Sequence, residues 1–117
     1  METPLVSVIM PVWNAGSMVC RAVESIRAQT MHEWELVAID DGSTDETPRL
    51  LKAFASADAR VRFVRTSHGG IVPALNRGLS VARAQVIARM DADDESQPDR
   101  LQRQYDYFLC HPRLGLV

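Results

Sequence analysis

Short apolar runs alternate with helical stretches along the chain, and this alternation limits the fold more than any other feature. "LVSVIM" at 5–10 is rich in β-branched residues and is followed by Pro11, which marks a buried strand rather than a helix. In "VWNAGSMVCRAVESIRAQT", Val19, Ala22, Val23 and Ile26 recur at i, i+3, i+4 and i+7, the spacing of one helix face, with Asn14 or Ser17 as the expected cap. "WELVAID" at 34–40 predicts a second strand. The helix expected from "DGSTDETPRLLKAFASA" has Ser43 and Glu46 spaced as a capping box and Leu50, Leu51 and Phe54 as its core face. "VRFVR" at 61–65 alternates, as a strand near a sheet edge does. "GGIVPALNRGLSVARA" predicts a third helix with Ile71, Ala74, Leu75, Gly78, Leu79 and Ala82 on one face. "VIARM" at 86–90 is the fourth strand. Ser96, with Pro98 in the first turn, opens a fourth helix lined by Leu101, Tyr105, Phe108 and Leu109. The order β-α-β-α-β-α-β-α predicts a three-layer α/β fold, a mainly parallel sheet with helices on both faces. A chain of 117 residues suits one domain with one core.

Ligands of parallel sheets bind beyond the carboxyl ends of the strands, so functional residues should follow strands and share that edge. Pro11, Val12, Trp13 and Asn14 follow the first strand, and Asp40, Asp41, Gly42 and Ser43 close the second. Ser67, His68, Gly69 and Gly70 follow the third, and Asp91, Ala92, Asp93 and Asp94 the fourth. One edge thus carries at least four carboxylates. Close carboxylates repel, and a divalent cation relieves the repulsion. Hard oxygen donors suit Mg²⁺ or Mn²⁺, and Mg²⁺ commonly combines one or two carboxylates with substrate phosphates. The residues therefore point to a metal-chelated diphosphate on a nucleotide. Structural roles compete with this reading. Asp40 and Asp41 can end a strand and cap a helix, and Asp94 and Glu95 can serve the N-terminal dipole of the fourth helix. Trp13 can lie in the core or against a base or sugar ring. His68, Gly69 and Gly70 can simply form a turn.

Other motifs fail on spacing. An EF-hand starting at Asp91 needs Gly where Ser96 stands and Glu where Gln102 stands. There is no GxxxxGK[ST], and "WNAGSM" is not the GxGxxG of a dinucleotide-binding dehydrogenase. A response-regulator receiver wants a lysine after a late strand, whereas Lys52 lies in the second helix. A net charge of -2 with scattered arginines argues against general nucleic-acid binding. No apolar run approaches the roughly 18 residues of a membrane span. Met1-Glu2-Thr3-Pro4 lacks the basic start of a signal peptide, so the cytoplasm is the expected location. Cys20 and Cys110 form no CxxC or Cys/His cluster, which leaves a reduced thiol pair and no zinc site.

"VSVIMPVWNAG", "LVAIDDGSTDET", "HGGIVPALNRGL" and "VIARMDADDESQPDRLQRQ" together resemble successive motifs of family 2 glycosyltransferases with the GT-A fold. The resemblance runs over essentially the whole chain, in the right order. It implies the Rossmann-like half of a GT-A fold and an inverting, metal-dependent transfer of sugar from a nucleotide-diphosphate donor, usually a UDP-sugar. By this resemblance Pro11, Val12 and Asn14 line the nucleoside pocket, Asp40 accepts a hydrogen bond from the base, and Asp41 and Ser43 shape that loop. Gly70 and Asn76 belong to a third motif that lies near the nucleotide and packs the core. Asp91-Ala92-Asp93 matches the family's DxD element, with Asp91 toward the ribose and, together with Asp93, in the set that holds Mn²⁺ or Mg²⁺. Asp94 extends the element.

The chain also departs from the family. Members often carry Arg before the Asn of the third motif, where Leu75 stands. The family's acceptor half carries the catalytic base, and here neither His68 nor His111 matches that role. "LGLV" at the end reads as the start of another strand. Residues 1–117 are thus expected to form one donor-binding domain, cut before the acceptor half and able to reach the inner face of a membrane only through a missing part. The alternative is a catalytically silent nucleotide-binding fragment, or one that self-associates through surface left uncovered.

Overall fold

A computed structural model describes residues 3–111; the strand expected at "LGLV" lies outside them. The elements are β1 (Val6–Val12), α1 (Met18–Arg27), β2 (Trp34–Asp40), α2 (Thr47–Ala57), β3 (Val61–Arg65), α3 (Ile71–Val81), β4 (Val86–Arg89) and α4 (Arg100–Cys110). The strands form one parallel sheet in the order β3-β2-β1-β4. Alternation along β1 sorts the core: Val6, Val8, Met10 and Val12 pack with α1, α2 and α4, while Ile9 packs with α3 on the other face. The expected three layers are present, and β3 is at an edge as its alternation suggested. No helix among the described residues is long and apolar enough to cross a membrane.

The strand expected to end before Pro11 continues through it to Val12. The carbonyl of Ile9 accepts from Met90 N, so alternate residues of β1 face β4, and β4 stops at Arg89. Pro11 therefore turns its missing N–H toward a side with no strand left to pair, the place where a sheet tolerates proline.

Helix α1 buries Val19, Ala22, Val23 and Ile26, the predicted face. The predicted helix starts need correction. Ser17 stands at the N-cap of α1 without a side-chain bond, and Asn14 is committed elsewhere. No Ser43–Glu46 capping box forms, because α2 begins at Thr47, whose amide donates to Asp45 Oδ1 at 2.9 Å. Helix α4 begins at Arg100 rather than near Ser96. Its Leu101 amide is satisfied by the buried Gln29 Oε1 at 3.0 Å, while Gln29 Nε2 donates to the Gln97 carbonyl at 2.6 Å. The cap thus comes from beyond the end of α1, 72 positions earlier in the chain. Leu109, expected inside, is exposed.

Helix α3 packs on a narrower stripe than predicted. Ala74 and Gly78 are buried, while Ile71 and Leu79 stay half exposed at 50% and 49%. The helix lies so close to the sheet that a Cβ on Gly78 would meet Ile9 Cγ2 at 2.4 Å. Bulky neighbours are displaced to the flanks.

The α3–β4 connection is held by a buried carboxylate. Glu35, 3% exposed, accepts from Ser7 Oγ, from Arg83 N at 2.7 Å and from Arg62 Nη1 at 2.8 Å. Burial pushes its pKa up, but the Ser7 hydroxyl, the Arg83 amide and Arg62 together hold it below the ordinary value.

Candidate functional site

The strand ends are tied together before any ligand is considered. Asp41 N donates to the Val12 carbonyl at 2.8 Å, and Thr66 N donates to the Asp40 carbonyl at 2.9 Å. Asp41 is 4% exposed. Its Oδ1 accepts from Gly69 N at 3.0 Å and Thr66 Oγ1 at 3.2 Å, and its Oδ2 accepts from Gly70 N at 2.9 Å. Burial raises its pKa, but the Gly69 and Gly70 amides, Thr66 and the neighbouring His68 prevail and hold it below the usual carboxylate range. Asp41 thereby folds the β3–α3 loop over the end of β2. Gly42 makes the approach possible, with φ at +80° and its Cβ position only 2.9 Å from His68 N.

Asp40 is fully buried. Its Oδ1 accepts from Ser43 N at 3.2 Å; its Oδ2 has no hydrogen-bond partner among the described residues and lies 3.7 Å from Arg65 Nε. Arg65 also donates to the Ser43 carbonyl at 2.9 Å. Asn14 and Ser43 link the β1–α1 and β2–α2 loops. Asn14 N donates to Ser43 Oγ at 2.9 Å, and Thr44 N donates to Asn14 Oδ1 at 2.9 Å, with Asn14 in the left-handed region at φ 49°.

Beside these loops lies a cleft of about 220 Å³. Pro11, Val12, Asp41, Gly70 and Asp91 of the predicted set line it, together with Trp13, His68, Ile71 and Ala74. Asp40, Asn14 and Ser43 sit outside its lining, and Asn76 stands on the exposed side of α3. Trp13 is not a core residue: it is 53% exposed and stacks on His68 at 4.7 Å between ring centroids, 26° from parallel. A larger cavity of about 320 Å³ lies at the amino ends of the strands, between Pro4, Trp34 and Arg60. There Arg60 is engaged by Asp58 and Arg62 by Glu35, so that end is an internally balanced ion-pair region.

The loop after β4 brings Asp91, Asp93 and Asp94 together. Each offers a carboxylate oxygen within 4.8 Å of the others, and all three are exposed. Asp94 N donates to the Asp91 carbonyl at 3.1 Å, which turns the loop back on itself. The alternative helix-entry role for Asp94 and Glu95 does not hold, because α4 starts at Arg100. Asp94 faces the acidic group, and the Glu95 carboxylate lies 3.9 Å from Arg21. Arg89 approaches Asp91 Oδ1 at 3.3 Å. Arg100, held by Ser96 Oγ and the Arg89 carbonyl, has its pKa lowered by burial and raised in part by the Asp94 charge. Three open carboxylates with no sulfur or imidazole among them fit a hard divalent cation, which fills its shell with water or phosphate oxygen. Asp91 also lines the cleft, so the acidic group and the cleft form one continuous site.

Trp13, His68 and Asp94, which the sequence placed after strands without a definite ligand contact, lie beside the predicted residues. Their position after strands was the available signal.

The family profile described as "Glycosyl transferase family 2" matches residues 7–116. The chain is 37% identical over 116 residues to a chondroitin synthase of Escherichia coli, covering 99% of this chain and 17% of that protein. Among solved structures it is similar to Staphylococcus aureus TarS 1-349 in complex with UDP-GlcNAc, with a TM-score of 0.84 and 24% identity over 92% of this chain and 32% of that one. It is also similar to the mannosyltransferase PcManGT from Pyrobaculum calidifontis in complex with GDP-Man and Mn²⁺, with a TM-score of 0.77 and 27% identity over 92% of this chain and 32% of that one. In each case the chain spans less than a third of the other protein's length.

Proposed function

This chain belongs to glycosyl transferase family 2, and on that premise we propose that it binds the nucleotide-diphosphate sugar of a metal-dependent, inverting glycosyltransferase located at the cytoplasmic side of the cell. One observation carries the reading: Asp91 lines the cleft and also belongs to the acidic group. A nucleoside in the cleft therefore leaves its diphosphate beside Asp91, Asp93 and Asp94.

Trp13 offers its ring to the base or ribose, and Pro11 and Val12 form the apolar wall of the same cleft. Asp91 takes the ribose side. Asp93, with Asp91 and Asp94, would hold Mn²⁺ or Mg²⁺, which when bound neutralises charge on the leaving diphosphate. Asp40 is assigned to the base; its unpartnered Oδ2 supports that role, although Arg65 must swing aside to expose it. Arg65, 3.7 Å from Asp40, is our candidate to stand in for the arginine that Leu75 replaces. The Mn²⁺ and nucleotide sugar of PcManGT agree with the metal and ligand class. A UDP donor is our choice of nucleotide, and a growing glycan our choice of acceptor. The general base that takes the acceptor's proton is assigned to a further part of the enzyme.

Isothermal calorimetry with UDP and Mn²⁺ tests the reading. Binding that needs the metal, and that Asp93→Ala weakens at least about tenfold, is the expected result. Absence of binding at millimolar UDP with Mn²⁺ rejects it.

A second reading, self-association, is favoured by α3, where Ile71, Val72 and Leu79 are 50%, 63% and 49% exposed. Light scattering across a concentration series tests it, and a monomer at the highest concentration rejects it.

A further inference from the structure

We propose that His68 is a further ligand-contacting residue of the cleft, presenting the lone pair of its Nε2 to a hydrogen-bond donor on the nucleoside. This rests on the cleft being a nucleoside site.

The tautomer follows from two contacts. His68 Nδ1 lies 3.2 Å from the Asp41 carbonyl oxygen and 3.1 Å from Asp41 Oδ2. Both atoms are acceptors here, so Nδ1 carries a proton in the neutral ring as well as in the charged one. The neutral ring therefore has its lone pair on Nε2, which has no partner among the described residues. The ring cannot easily turn away. Asp41 is fixed in turn by Thr66, Gly69 and Gly70, and Trp13 lies against the face of the imidazole. With one edge on Asp41 and one face on Trp13, the imidazole has its other edge left for a ligand in the cleft that it lines.

The groups around His68 are few. Asp41 approaches from the end of β2, Trp13 from just past β1, and Asp91 from beyond β4 shares the cleft; α3 brings Ile71 and Ala74, neither charged. A neutral Nε2 accepts from N–H or O–H. Nucleosides carry such donors on the ring and ribose, whereas ionised phosphate oxygens only accept.

The test measures UDP binding with saturating Mn²⁺, and uridine binding alone, at about pH 8. The proteins are the native chain, His68→Asn and His68→Gln. Asn keeps a donor where Nδ1–H sits and has nothing at Nε2; Gln keeps an acceptor near Nε2. His68→Asn should bind about three- to tenfold more weakly than native. His68→Gln should recover part of that loss. The same ratios with uridine assign the contact to the nucleoside. Thermal melting of each variant separates these effects from loss of fold. A His68→Asn variant that matches the native chain overturns the proposal, as does a His68→Gln variant that binds no better than His68→Asn. Failure of UDP to bind the native chain defeats the donor reading itself.

Discussion

Replacing Gly42 with Ala should damage both the fold and the cleft, and the structure sets the size of the effect. Gly42 has φ +80°, where a Cβ costs about 1–2 kcal/mol. That Cβ would also stand 2.9 Å from His68 N, 3.3 Å from His68 Cβ and 3.4 Å from His68 Cα. The first of these is a backbone atom, and its segment is pinned by the bonds from Gly69 and Gly70 to Asp41. Forcing it aside adds about 1–3 kcal/mol. The sum, about 2–5 kcal/mol, corresponds to a fall in Tm of about 8–20 °C for a domain of this size. Gly69→Ala is the control. Its Cβ would lie no closer than 3.6 Å to its neighbours, and its φ is not in the left-handed region, so its stability should stay within about 0.5 kcal/mol of native. Urea unfolding and thermal melting of the two variants provide the comparison. Relief of the clash must also shift His68 from Asp41, so any folded Gly42→Ala protein should bind UDP more weakly. Equal stabilities for the two variants would show that the loop yields freely, and that neither strain nor close approach selects Gly42.

Glu35→Gln should cost about 3 kcal/mol at neutral pH, since it removes the charge that Arg62 and the Arg83 amide face in a buried site. The folded-state pKa values of Glu35 and Asp41 are both lowered, so their contribution is present above the ordinary carboxylate range and is lost as pH falls through the lowered values. Urea titrations at falling pH should therefore show stability dropping below about pH 4.5, with the gap between native and Glu35→Gln narrowing over the same range. Asp94→Ala should weaken Mn²⁺-dependent UDP binding about tenfold, while Glu95→Ala leaves it unchanged. Calorimetry that finds the two variants alike would remove Asp94 from the metal set.

The layer order, the strand positions and the buried face of α1 were legible because each rests on a periodicity that local sequence carries. The starts of the later helices were not. Leu101 N is satisfied by Gln29 from beyond α1, and Asn14, a good local cap, is taken by the Thr44 amide. Capping reasoning compares neighbours in sequence, and these partners are neighbours only in the folded chain. Helix α3 shows a second limit. A periodic apolar stripe gave Ile71 and Leu79 to the core, but the small pair Ala74 and Gly78 sets how close the helix comes, and closeness narrows the stripe.

The same limit divides the acids at the strand ends. Sequence placed Asp40, Asp41, Asp91 and Asp93 on one edge and treated them as one crowd of repelling charges. The fold separates them by what they already bind. Asp41 receives four donors from the β3–α3 loop that hold its pKa below the usual range, so its charge is used up in holding that loop. Asp40 has one bond from Ser43 and a distant guanidinium, which leaves one oxygen unused in a buried place. Asp91, Asp93 and Asp94 are open to solvent, within 4.8 Å of one another and opposed mainly by Arg89 and Arg100. Carboxylate repulsion that a cation would relieve is therefore found, among the described residues, in the loop after β4. At the end of β2 the buried carboxylates call for hydrogen-bond donors, and what remains for a ligand there is the single unpaired oxygen of Asp40 and the imidazole that Asp41 holds in place.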